Sequence, residues 1–339
     1  MVNQIAPLGH MLKRGYEMFK LMKIGMVVLF LSGGLYFCDA QSQKELYNAL
    51  LGQDCSSPTL LKFKATKSDE VTLCFDEFIN CSLKDFRCLE SSNSIVGVSC
   101  FESELKIKFS RSLRAGQREI IEARVTDLVG NSLSFTVGIW GLNDNLPKLL
   151  INEFTTKGSG NNPDRVELIV LEGGDLAGVT LYDGLAQNFD SECILPSYRV
   201  NEGDYVVIEY SEALRGAHPI EFWAKEVGLG ANNGVISLYD TPDGEIIDAV
   251  LYTNRGSTQY NGFGTKKVEE RALLLEELGH WNPIPIDVES GINSTDSTAT
   301  RSMCRIFGKE DTNSKADWYI VPTGKASFGS KNVVDHYLP

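Results

Sequence analysis

The sequence is short of the residues on which most catalysis runs. Four histidines (His10, His218, His280, His336) are scattered through 339 residues, so neither an HExxH helix nor a Cys–His pair in a plausible setting arises. No GxSxG elbow occurs, and the serine of KGSGNN (157–162) has no base beside it. From Cys55 to Cys100 the cysteines are spaced 19, 7, 7 and 12 apart, with no CxxC pair and no nearby histidine, which argues against a zinc site. Clusters of Lys and Arg are missing too. The 32 basic residues face 45 acidic ones for a net charge of −13, and a phosphate backbone needs the opposite. Nucleic acid is thereby excluded as an expected partner, and no catalytic residue, cofactor or metal ligand is assigned.

What is present begins with an export signature. Lys13, Arg14, Lys20 and Lys23 form a basic region ahead of an apolar run from Ile24 to Phe37. That run is shorter than the ~20 residues a permanent transmembrane helix needs. Cys38-Asp39-Ala40 places small side chains for cleavage after Ala40. Lipidation of Cys38 is the rival reading, disfavoured because bulky Phe37 stands where a lipobox carries a small residue. Either way the product is exported, to periplasm, cell surface or medium, without a transmembrane helix once the signal is removed. Eight cysteines suit an oxidising destination. Met11, Met18 and Met22 leave the true start open.

Beyond the leader the pattern is that of short strands. TLLKFKAT (59–66), EVTLCFDEFI (70–79), SELKIKFS (103–110), REIIEARVTD (118–127) and SLSFTVGIW (132–140) alternate apolar and polar residues, with Leu105, Ile107 and Phe109 on one face. GLNDNLP (141–147) is a polar break ending in proline. Strand patterns resume at KLLINEF (148–154), DRVELIVL (164–171), GVTLYD (178–183), YVVIEY (205–210), GVISLYD (234–240) and IIDAVLY (246–252). The last two flank a TPDG turn in which Pro242 fixes φ and Gly244 takes the left-handed position. KKVEERALLLEELG (266–279) is the exception. It spaces Val268, Ala272, Leu275 and Leu278 along one helical face and stops at Gly279, which predicts a single amphipathic helix packed on the core.

Two resemblances follow from these segments. GQREIIEARVTDLVGNSLSFTV (116–137) resembles the last strands of bacterial Ig-like domains, with Asp127, Gly130 and Asn131 in a D-x-x-GN turn. The C-terminal half resembles a lamin tail domain. INEF (151–154), the VEL of 166–168, VNEGDYVVI (200–208), GVISLYDTPDGEIIDAVLY (234–252) and TRSMCRIFGKEDTNSKADWYIVPTGKASFGSKN (300–332) carry it in order, down to a terminal Gly-x-x-Asn. The chain departs from that family at Phe328-Gly329, in the IVLEGG after VEL, and in insertions at 211–233 and 266–299. The resemblances imply an all-β chain of two Ig-like β-sandwiches in tandem. The expected division is a signal peptide (1–40), linker (41–57), bacterial Ig-like domain (58–140), linker (141–147), lamin-tail-like domain with one short helix (148–332) and a tail (333–339).

Tempting sites have plainer readings. GLGANNG (228–234) has the wrong spacing for a phosphate loop and leads into a strand. Asp240, Asp243 and Glu245 crowd a hairpin tip, where Asp serves turn geometry without needing calcium. Cys193 and Cys304 are the only cysteines after the break. A bridge between them would close about 110 residues and contribute ~4–5 kcal/mol, but two separate small buried hydrophobes is the favoured reading. The expected function is non-enzymatic binding or scaffolding in the bacterial envelope, through the lamin-tail-like domain, toward an unknown protein or envelope component. The alternatives are an accessory module of an exported hydrolase (nuclease or carbohydrate-active) and a purely structural envelope protein.

Overall fold

The computed structural model describes residues 54–89, 92–211, 216–224 and 228–339. The leader, Cys38 and most of the 41–57 linker lie outside the described residues.

The first seven strands are β1 (Leu60–Lys67), β2 (Glu70–Phe75), β3 (Phe86–Cys88), β4 (Ile95–Phe101), β5 (Glu104–Phe109), β6 (Arg118–Thr126) and β7 (Ser132–Trp140). They form two antiparallel sheets, β1-β2-β5-β4 and β3-β6-β7. Period-two alternation decides which face is inside. Val71, Leu73 and Phe75 of β2 meet Leu105, Ile107 and Phe109 of β5, and Ile121, Ala123 and Val125 close the core from the other sheet. At the β6–β7 turn the Asp127 Oδ1 accepts the amides of Val129, Gly130 and Asn131, while Gly130 takes φ 101°.

A disulfide joins Cys81, in the crossing from β2 to β3, to Cys100 of β4, with Cα atoms 6.1 Å apart. It closes a loop of 19 residues. Reduction is expected to lower the stability of this sandwich by about 3 kcal/mol in the loop-entropy account. Urea unfolding with and without reductant, with thiol alkylation to verify the state, measures this. An unchanged midpoint would remove the bridge from the list of stabilising features.

The second set packs larger sheets. It runs β8 (Lys148–Thr155), β9 (Arg165–Glu172), β10 (Gly174–Asp175), β11 (Thr180–Leu185), β12 (Asn188–Ile194), β13 (Arg199–Val200), β14 (Tyr205–Glu209), β15 (Glu221–Trp223), β16 (Gly234–Tyr239), β17 (Ile246–Thr253), helix α1 (Lys266–Glu277), β18 (Ile292–Asn293), β19 (Met303–Arg305) and β20 (Trp318–Ile320). A five-stranded sheet, β12-β11-β16-β17-β18, faces a six-stranded one, β15-β14-β9-β8-β19-β20, while β10 and β13 pair separately. The core between them includes Ile151, Phe154, Val166, Leu168, Val206, Ile208, Leu238, Val250 and Trp318, and it is a separate cluster from that of the first sandwich. Among the described residues the fold is all-β with one α-helix. Thr265 caps α1 through the Val268 amide, and Val268, Ala272 and Leu275 are buried. Leu278 lies beyond the helix and is exposed, whereas Arg271 is buried on the apolar face.

The TPDG turn corrects the sequence reading. In the TPDG turn the left-handed residue is Asp243 (φ 59°), not Gly244. Gly244 is required for space, because a Cβ there would lie 2.0 Å from Asp240 Oδ1. Cys193 and Cys304 do not form a bridge; both are buried free thiols. Cys193 belongs to the core between the sheets, while Cys304 sits opposite Glu153 on the outer face of the six-stranded sheet. That sheet lies between them.

Candidate functional site

Polar residues at outward positions of a sandwich strand normally reach water. Here the outer face of the six-stranded sheet is covered. Arg165 and Glu167 of β9, Glu209 of β14, and Glu153 of β8 alternate with core residues, yet all are buried. The segment Ser327–Asn332 lies across them as a roof. Glu153 accepts hydrogen bonds from the Ser302 hydroxyl and from the Ser327 amide (2.9 Å) and hydroxyl (2.8 Å). Glu167 accepts from Asn152 Nδ2 (2.7 Å) and the Gly329 amide (2.5 Å). Asn332 and Asn152 exchange side-chain hydrogen bonds (2.9 and 3.1 Å), and Asn332 Nδ2 also donates to the Arg305 carbonyl.

Burial dominates the electrostatics of this cluster. Desolvation pushes the Glu167 carboxyl up to about 8, with the nearby Glu153 adding to the rise and Asn152 and Gly329 opposing it. Burial likewise raises Glu153 against its hydrogen bonds. The Cys304 thiol is driven well above its ordinary range by burial and by Glu153, which is the reverse of an activated nucleophile. Beside the cluster, Glu209 Oε1 lies 3.2 Å from Arg165 Nε and 3.3 Å from His218 Nε2. Burial, then Arg165, hold His218 below its usual range. Phe328 of the roof packs against both, 5.3 Å from the guanidinium of Arg165 and edge-on to His218.

Two buried ion pairs brace the sandwich around this face. Arg305 crosses between the sheets, with Nη2 2.7 Å from Asp248 Oδ2, Nη1 2.6 Å from Asp311 Oδ1 and Nε donating to the Ile151 carbonyl. Trp318 stacks under its guanidinium at 4.8 Å. Asp248 also accepts the Ile151 amide, and burial raises its carboxyl to about 6 despite Arg305. On the other side, Arg271 of α1 lies 3.0 Å from Asp190 and 3.9 Å from Asp183. Arg271 fastens the helix to the β11–β12 hairpin.

The loops singled out in the sequence serve the fold. The Asp164 carboxylate takes the amides of Gly158 (2.6 Å) and Leu229 (2.7 Å), so an acid of the chain itself engages both glycine-rich loops. Asp240 accepts from Thr241 and Glu245 amides at the hairpin tip. Outside the second sandwich, the carboxylates of Asp54, Glu77 and Asp127 converge with ligand atoms within 4.8 Å of one another. These three could hold a cation, although Asp127 is already engaged by three amides and by Asn131 Nδ2 (2.7 Å). The D-x-x-GN turn pointed to Asp127. Its neighbours Asp54 and Glu77 come from distant segments, and nothing in their spacing signalled the meeting.

Comparison with known proteins places the second sandwich. Residues 147–219 and 211–320 match a family model described as "protein second domain". The chain belongs to this family. The match runs from the end of the polar break through β20 and leaves out the roof at 327–332. An uncharacterized protein of Treponema pallidum (strain Nichols) is 23% identical over 254 residues, 67% of this chain. The chain spans 63% of that relative's length. Among solved structures, the N-terminal part of the bacterial S-layer protein SbsC aligns with 62% of this chain and 48% of its own, at 14% identity and a TM-score of 0.27. An L,D-transpeptidase from Mycobacterium smegmatis aligns with 58% of this chain and 99% of its own, at 8% identity and a TM-score of 0.17. Likenesses this distant carry no argument.

Proposed function

We propose that the protein is exported to the bacterial cell envelope and works there by binding or scaffolding rather than catalysis, with a lamin-tail-like second domain as its contact surface. The observation that carries export is the Cys81–Cys100 disulfide, because such bridges persist in oxidising compartments. The basic region and short apolar run upstream support the same destination. Among the described residues no helix is long and apolar enough to cross a membrane.

The non-catalytic reading is supported by the chemistry of the buried cluster. Its carboxyls are roofed by the chain's own backbone, and burial moves the Cys304 thiol away from reactivity. The lamin-tail-like reading is supported by the way its motif residues converge. Glu153 of INEF, Glu167 of VEL, Asp248 of the hairpin, Arg305 and Asn332 belong to one connected buried network. The partner is a protein or envelope component engaged by the exposed rim of that sandwich.

Fractionation and intact mass of the native protein test the reading. The expected product starts at Gln41 or carries diacylglycerol on Cys38, resides in the envelope fraction, and retains specific envelope components on pull-down. A full-length cytosolic chain with reduced Cys81 and Cys100 would overturn it.

A further inference from the structure

The two ends of the first sandwich differ in kind. One end leads through Trp140 into the second domain. The other gathers the β2–β3 crossing, the β4–β5 turn, the β6–β7 turn and the entry of the chain at Asp54. Bonds on the backbone fix this grouping. The Ile79 amide donates to the Glu102 carbonyl, Asn80 exchanges two backbone hydrogen bonds with Thr126, and Asn131 Nδ2 donates to the Asp54 carbonyl. Because β7 spans nine residues, this end stands roughly 30 Å from the junction with the second domain.

Four large apolar side chains project from these loops into solvent. Phe78 is 52% exposed, Phe101 75%, Leu128 67% and Val129 66%. Single exposed hydrophobics are ordinary, but four on adjoining loops at one tip make a patch that water disfavours. The tip is otherwise acidic, with Asp54, Glu77, Glu102 and Asp127, so a nucleic acid or other polyanion is a poor occupant.

We propose that this tip is a membrane-contacting surface, in which Phe78, Phe101, Leu128 and Val129 enter the interfacial layer of a lipid bilayer. The course of the chain selects this occupant. Sixteen residues separate Phe37, the end of the apolar run, from Asp54 at the tip. The described chain therefore enters the sandwich at this tip, the end tethered to the apolar run during export and to the lipid if Cys38 is lipidated. If the leader is removed after Ala40, the apolar side chains alone carry the contact. Aromatic and aliphatic side chains on loop tips suit the interface, where the rest of the domain remains in water. The inference rests on the export reading for its setting, but its test does not.

The exported protein, as processed, is floated with phosphatidylcholine vesicles and compared with Leu128→Asp/Val129→Asp, both at solvent-exposed turn positions. Partitioning is expected to fall by roughly tenfold or more, given the cost of carboxylates in the interface. An unchanged urea midpoint shows that the variant is folded. Where a lipid anchor holds both proteins on the vesicles, Leu128→Trp supplies a second readout. Brominated lipid is expected to quench the added tryptophan, and to leave one at Leu142→Trp, near the junction, unquenched. Three results would each overturn the proposal. These are no partitioning by an unlipidated wild type, equal quenching at both positions, or a blue-shifted Leu128→Trp emission before vesicles are added. The last would mean that this chain or a second copy already covers the tip.

Discussion

Replacing Arg305 with alanine is expected to destabilise the second sandwich by about 3–5 kcal/mol, because it removes one partner of a buried pair and strands the other. Three acceptors lose a guanidinium donor at once, Asp248 Oδ2, Asp311 Oδ1 and the Ile151 carbonyl, and Asp248 keeps the Ile151 amide. Trp318 also loses the cation stacked on its ring. Asp248 is 1% exposed, so its carboxylate has no water to turn to and will take up a proton instead. Urea unfolding with a probe specific to the second sandwich measures the loss, and the first sandwich should keep its own midpoint. Arg305→Met/Asp248→Leu separates the worth of the pair from the cost of breaking it. That double variant should recover most of the stability, since an apolar pair of similar volume carries no desolvation cost. A single variant losing less than about 1 kcal/mol would mean that water or a neighbouring cation replaces the guanidinium.

The sandwich strands were legible because each half-buried strand writes its two faces into alternating residues. Val71-Leu73-Phe75 and Leu105-Ile107-Phe109 are such records, and both triplets are buried. β3 was not legible, being three residues long, nor was β4, whose Gly97 interrupts the alternation. The helix was found by its period. Arg271 on its buried face was not foreseen, since a charge at an apolar position is explained only by acids that the β11–β12 hairpin brings from eighty residues away.

The buried carboxyl cluster was half legible. INEF, VEL and the terminal Gly-x-x-Asn were each recognised in the sequence, but as separate marks of a family resemblance. That Glu153 and Glu167 lose their water depends on where Ser327–Asn332 lies, and strand periodicity is silent on a roof made of irregular chain. Outward-facing acids in β8 and β9 read as solvated until that segment is placed over them. The Cys81–Cys100 bridge escaped for a related reason. Five cysteines lie between the leader and the break, and spacing alone does not select a pair among them.

The roof makes the fold sensitive to alkaline rather than acid conditions, and Glu167 is the residue through which this is best tested. In the unfolded chain its carboxyl ionises near the ordinary value of 4.5, while in the folded protein burial holds it at about 8. Between those values the folded state keeps a proton that the unfolded state has lost. Its contribution is therefore fully present below pH ~4.5, declines by about 1.4 kcal/mol per unit, and is gone above pH ~8, on the order of 5 kcal/mol in all. Glu153 is shifted the same way by the same burial, and Asp248 and Asp183, each raised to about 6, add to the slope at lower pH. His218, depressed by burial and Arg165, acts in the opposite sense and takes stability away as pH falls through 6.5. The difference between wild type and Glu167→Gln isolates the one group, because the amide keeps the shape and never ionises. Stability of the wild type should fall relative to the variant from pH 5 to pH 8, and the two curves should run parallel above that. Asn332→Ala loosens the roof and admits water, so the Glu167 contribution to the slope should shrink toward that of an exposed carboxyl. Chemical denaturation of the three proteins across this range measures the slopes. Parallel curves for wild type and Glu167→Gln throughout would mean that Glu167 is ionised beneath the roof.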